Sequence, residues 1–160
     1  MNILIEPLDS ASAREIIAWR YPAPYDMYNI RPENLEAEVA YFTNPENHYF
    51  AIFNPNQTLI GFCCFFHEGQ VTGGDYSHEA VDVGMGLRPE LTGGGNGTEI
   101  ARAVMDFAIQ HYHPLRLRTT IAAWNERAQK VCLNNGFELV DRFTNPRTYR
   151  EYVVLLREVI

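Results

Sequence analysis

Six residues, Thr92-Gly93-Gly94-Gly95-Asn96-Gly97, hold four glycines directly ahead of a run with helical periodicity. Glycine raises the entropy cost of ordering a chain, so a stretch this bare needs a reason in close backbone approach or unusual φ. The chemistry such a loop can do is anion binding. Backbone N–H groups at a helix N-terminus have no partner within the helix, and the helix dipole adds to their attraction for phosphate. A P-loop is excluded, because Gly97 is followed by Thr98-Glu99 where Lys-Ser or Lys-Thr is required. A dinucleotide fingerprint starting at Gly93 places Gly95 correctly but puts Thr98 where its last glycine belongs. A glycine-rich turn that only caps a helix is the structural alternative.

Other chemistry-bearing residues are more scattered. Asp75, His78 and Glu79 lie in the polar stretch EGQVTGGDYSHE, 68–79, expected as a mobile surface loop that either binds a cationic acceptor or is simply solvated. Cys63 and Cys64 are adjacent in a strand-like run, so their side chains point to opposite faces and cannot line one site. His111 and His113 are one residue apart near a helix end, a poor metal geometry, and no metal is expected. Tyr21, Tyr25 and Tyr28 stand in YPAPYDMYNIRP, where they either shape a pocket or pin the loop to the core.

The elements that must position these residues alternate between strand and helix. Strands are expected at 2–7, 48–53, 59–66, 80–87, 115–122, 137–143 and 149–159, the second and third joined by the turn NPNQ. Helices are expected from Ser10 or Ser12 to about Trp19, over 33–43, after the glycine loop, and over Glu126–Asn134. In the third helix Ile100, Val104, Phe107, Ala108 and His111 share one face. The fold class is α+β, a mixed and mainly antiparallel central sheet with flanking helices, in a single domain over 1–160.

A net charge of −7 argues against nucleic acid and weakly favours cationic ligands. No run reaches the length of a membrane span, and MNILIEPLDS has no basic segment ahead of an apolar one. Three cysteines, an odd number, give neither a disulfide framework nor zinc spacing, so a reducing cytoplasm is expected.

Two further stretches give the glycine loop a context. Downstream, WNERAQKVCLNNGFELV, 124–140, resembles N-x-x-A-x-x-x-Y-x-x-x-G-F, with Asn125, Ala128, Gly136 and Phe137 in register and Cys132 in the tyrosine position. Upstream, Val83 to Glu90 looks like a fourth strand of the "IGYWLDPE" type. The loop itself matches Q/R-x-x-G-x-G/A in both glycines, with Thr92 departing at the first position. Together with the order of elements, these resemble the GCN5-related N-acetyltransferase family, nearest the branch of ribosomal-protein, peptide N-terminal and small-molecule acetyltransferases.

The resemblance implies an acetyl-CoA-dependent N-acetyltransferase acting on an amine of a small molecule or peptide, with acetyl-CoA as cosubstrate in a split between the fourth and fifth strands. Met85, Gly86 and Leu87 would pair with the pantetheine arm, an N–H of Met85 or Leu87 polarising the thioester carbonyl. Thr92, Gly93, Gly94, Gly95, Asn96, Gly97 and Thr98 would hold the pyrophosphate. Asn125 would contact the cofactor arm, cap its own helix, or both, and Lys130 would reach the nucleotide phosphates or be a solvated lysine. Asp82 is the candidate base for the protonated amine, against a solvated strand-end aspartate. Cys132 either protonates the departing thiolate or packs as a small apolar residue. A homodimer is left open. The departures at Thr92 and Cys132 also motivate an alternative, a catalytically impaired CoA-binding sensor or interaction module.

Overall fold

Among the described residues, seven strands and four α-helices account for the alternation in the sequence. They are β1 (Leu4–Pro7), α1 (Ser10–Ala18), α2 (Leu35–Thr43), β2 (Tyr49–Phe53), β3 (Leu59–Phe65), β4 (Val81–Leu87), α3 (Gly97–Tyr112), β5 (Arg116–Ala122), α4 (Glu126–Leu133), β6 (Glu138–Thr144) and β7 (Glu151–Glu158). The structure, a computed structural model, describes residues 2–159. The strands form one sheet in the order β1-β2-β3-β4-β5-β7-β6. Every neighbouring pair is antiparallel except β4 and β5. Those two are joined by α3, and a helical crossover is what brings consecutive strands in parallel.

The pleat distributes the core over both faces. On β2, Phe50 and Ile52 enter one buried cluster, with Ile100, Val104, Met105 and Ala108 of α3. Ala51 enters the other, with Ala13, Ile16 and Ile17 of α1 and Val39 and Phe42 of α2. Burying side chains of this size stabilises by roughly 1.5–3 kcal/mol each, which fixes α3 against the sheet and so fixes its N-terminus at the end of β4.

Local chemistry refines several boundaries. Asp9, rather than Ser10 or Ser12, caps α1, its carboxylate accepting from the Ser12 N–H at 2.7 Å. Asn34 caps α2 through the Ala37 N–H at 3.0 Å, so that helix begins at Leu35. Phe66 leaves β3 and opens a 3₁₀ turn, Phe66–Gly69. The following loop, expected to be mobile, is instead tied down. Val71 N–H donates to Tyr76 Oη, which is 2.9 Å from Thr120 Oγ1, and Gln70 Nε2 donates to Asp82.

Candidate functional site

Pairing between β4 and β5 consists of Val81↔Leu117 and Asp82↔Arg118, and beyond it the strands diverge. β4 continues against β3 to Leu87, while β5 continues against β7 to Ala122. The divergence opens a V-shaped split on the C-terminal side of the Asp82↔Arg118 pair. Strand parity states which backbone groups edge it. The Val83 carbonyl faces β5 and accepts from Thr119 Oγ1 at 2.9 Å. The N–H and C=O of Met85 and Leu87 therefore face the split, whereas those of Gly84 and Gly86 face β3. Leu87 already has its carbonyl occupied by Tyr21 Oη, at 2.6 Å.

This parity corrects the expectation for Gly86, which turns its backbone polar groups to β3 rather than to the cofactor arm. Glycine is needed there for packing. A Cβ at Gly86 would fall 2.4 Å from the Phe62 ring, and one at Gly84 would fall 2.7 Å from Cys64 Sγ. Met85 and Leu87 turn their backbone polar groups toward the split.

At the apex of the split, Asp82 does not stand as a free base. It is 1% exposed, and its Oδ1 accepts from Arg118 Nε at 2.6 Å. Its Oδ2 accepts from Arg118 Nη2 and Gln70 Nε2, both at 2.9 Å. The guanidinium also donates to the His78 carbonyl at 2.8 Å and lies 4.9 Å from the Tyr76 ring centroid. Both oxygens are thus committed to a buried bidentate pair that clamps the last paired rung of β4 and β5, a geometry that weighs against the expected role as amine base. The neighbouring loop residues are held by hydrogen bonds, one of them from the clamp itself. His78 and Glu79 offer backbone carbonyls to Arg118 and Arg116, and the Asp75 carboxylate accepts from Ser77, which holds its pKa below the usual carboxylate range.

At the far end of the split lies the glycine loop. Gly93 and Gly95 have φ of +76° and +83°, a region L side chains rarely adopt. A Cβ at Gly95 would meet no protein atom within 4 Å, so its backbone lies open on that side. Asn96 precedes α3 without capping it through its side chain. The N–H groups of its first turn have no intrahelical acceptor by geometry. Gly97 packs toward α4, its Cβ position 3.1 Å from Val131 Cγ2. The Thr98 carbonyl accepts from Asn135 Nδ2 at 3.1 Å, and the Thr92 hydroxyl donates back to the Pro89 carbonyl at 2.7 Å. Lys130 is exposed on α4.

One wall of the split is aromatic, and the sequence indicated only part of it. Asn125 caps α4 through the Ala128 N–H at 3.1 Å, and its Nδ2 donates to Tyr28 Oη, also at 3.1 Å. Trp124 lies 5.2 Å from Tyr25 and 6.1 Å from Tyr28 between ring centroids. Burial, opposed by the hydrogen bond from Asn125, holds the Tyr28 hydroxyl above its ordinary pKa. Trp124 and Arg127 sit inside the downstream motif, so their positions were in view, but no local pattern marks which loop they would meet. Cys132 belongs to the apolar core with Ile121 and Phe137, and burial pushes its thiol up to about 12.

Among the described residues no group of His, Cys, Asp and Glu is arranged to hold a metal ion, and no helix is long and apolar enough to cross a membrane. A family model for the acetyltransferase (GNAT) domain matches residues 2–138. A search of curated proteins returns no match. Among solved structures, a chimera of the spermidine N-acetyltransferase SpeG from Vibrio cholerae and hSSAT superposes with a TM-score of 0.78 at 16% identity, covering 99% of this chain and 96% of that one. AAC(6')-Ib in complex with ribostamycin and coenzyme A gives 0.79 at 14% identity, over 99% and 94% of the two chains. An acetyltransferase of the GNAT family from Bacillus anthracis gives 0.76 at 12% identity, over 99% and 95%. Likenesses at such identities carry the fold; the sequence match over most of the chain carries the family. A seven-stranded sheet split between its parallel strands, with a glycine loop leading into α3, is how this chain realises that match: it belongs to the GNAT acetyltransferase family.

Proposed function

We propose that this acetyltransferase moves the acetyl group of acetyl-CoA to a primary amine of a small molecule or peptide by direct attack. The observation that carries this reading is the split itself. It is edged by the Met85 N–H and C=O and the Leu87 N–H, ends at the glycine loop on one side and is walled by Tyr25, Tyr28 and Trp124 on the other. Bound acetyl-CoA supplies an activated acyl thioester.

The chain's own groups divide the work. Gly93, Gly95 and the first turn of α3 present backbone donors to the pyrophosphate. Met85 N–H donates to the thioester oxygen as negative charge develops there, where a preorganised donor is most effective. The amine nitrogen forms the new N–C bond, the C–S bond breaks, and the sulfur takes a proton. Tyr28 is the donor we assign, because its oxygen accepts from Asn125 and, among the described residues, no hydrogen bond takes its own proton. Cys132 is left as packing. With Asp82 committed to Arg118, the amine loses its proton to water, so the rate should rise with pH until the acceptor itself is neutral.

Departure at the tyrosine position favours the second reading, a CoA-binding module without turnover, since Cys132 is buried in the apolar core with Ile121 and Phe137. A panel of amines scored by acetyl-CoA-dependent release of free thiol separates the two. It should include a polyamine, an aminoglycoside, amino acids and peptide N-termini. Turnover of any member, with a pH profile that follows the pKa of the amine, is the expected result. Cofactor binding with no turnover across the panel would favour the binding module.

A further inference from the structure

We infer that Arg127 is a cofactor-binding residue, supplying from α4 the side-chain cation that the glycine loop lacks; this rests on the acetyl-CoA reading above. The loop carries Thr92 where its motif has Gln or Arg, and the Thr92 hydroxyl is turned back onto the Pro89 carbonyl at 2.7 Å. No cation therefore comes from the loop itself. A protein with net charge −7 repels a polyanion such as CoA, so a cation placed at the phosphates carries unusual weight.

Arg127 is in that place. A Cβ built at Gly93 falls 2.8 Å from Arg127 Nη1, so the guanidinium lies directly against the loop. Val131, one turn further along α4, meets Gly97 in the same way at 3.1 Å, and Asn135 meets Thr98. One side of α4 thus runs along the glycine loop and the start of α3, with Arg127 at its leading end. Among the described residues, no carboxylate pairs with Arg127. Its Cζ instead sits 4.1 Å from the Tyr25 ring centroid, and that ring lies 5.2 Å from Trp124. A guanidinium resting on an aromatic ring keeps its in-plane N–H donors for oxyanions, the arrangement that suits phosphate.

The test is calorimetric binding of CoA, 3′-dephospho-CoA and pantetheine to wild type, Arg127→Ala and Arg127→Lys. Arg127→Ala should weaken CoA and dephospho-CoA alike by about 10- to 100-fold, the loss expected for charge-assisted hydrogen bonds to phosphate. Pantetheine, which has no phosphate, should bind both proteins equally. Lysine should recover only part of the loss, because it keeps the charge without the planar fork. Raising salt should weaken wild type more than the alanine variant. Melting temperatures without ligand should agree within a few degrees, because Arg127 is exposed. Equal CoA affinity in wild type and Arg127→Ala would overturn the inference, as would a loss confined to CoA, which would move the contact to the 3′-phosphate. Failure of wild type itself to bind CoA would instead overturn the functional reading.

Discussion

Asparagine at position 82 is the change that separates a clamp from a base. It keeps the shape of Asp82 but replaces one acceptor oxygen with an amide donor. In wild type, Oδ1 and Oδ2 accept from Arg118 Nε and Nη2 at 2.6 and 2.9 Å, with side-chain exposures of 4% for the arginine and 2% for the aspartate. With asparagine, one guanidinium N–H faces another donor and the buried charge loses its counter-ion. Removing one partner of a buried pair costs about 3–5 kcal/mol. For a chain of 160 residues that lowers Tm by roughly 6–20 °C. Arg118→Met should cost a similar amount, by stranding the aspartate. The double variant Asp82→Leu/Arg118→Met should recover most of the loss, since apolar replacement of a buried pair is often neutral or stabilising. Thermal unfolding by circular dichroism measures all four proteins. Thiol-release assays well below each Tm then report turnover, which should track the fraction folded and survive in the double variant. The clamp account fails if Asp82→Asn melts within a degree or two of wild type while losing 10²-fold or more in turnover that high pH restores; that pattern belongs to a general base.

Two further changes address the departing thiolate. Tyr28→Phe removes the proposed donor and strands Asn125 Nδ2, and it should lower kcat by roughly 10- to 100-fold with little change in the Kd for CoA measured by calorimetry; an unchanged kcat would remove Tyr28 from the chemistry. Cys132→Ala should leave turnover within a few-fold and cost stability through a small cavity, whereas Cys132→Tyr should lower Tm by forcing a ring among Ile121 and Phe137; a gain of activity in the tyrosine variant would show that this position still lines the site.

The elements that identify this chain are local in sequence, and so the sequence alone determined them. The glycine run ahead of α3, the i, i+4 spacing of Ile100, Val104 and Ala108, and the motif from Asn125 to Phe137 need only near neighbours to be meaningful. Alternation of apolar residues likewise announced seven strands, with boundary errors of a few residues where capping by Asp9 or Asn34 decided the end. Long-range pairing decided the rest. Asp82 meets Arg118 across 36 residues, Tyr21 meets Leu87 across 66, and Tyr28 meets Asn125 across 97. Each of these depends on sheet order and on the crossover through α3, which no local pattern encodes. The same holds for Gly86. Its residue type is visible in the sequence, but which way its backbone faces follows from parity with β3, set by the pairing of Phe62 opposite it. Sequence named the residues that can do chemistry; the tertiary fold decided which of them are free to do it, because a carboxylate or a cation is defined by the partner brought against it.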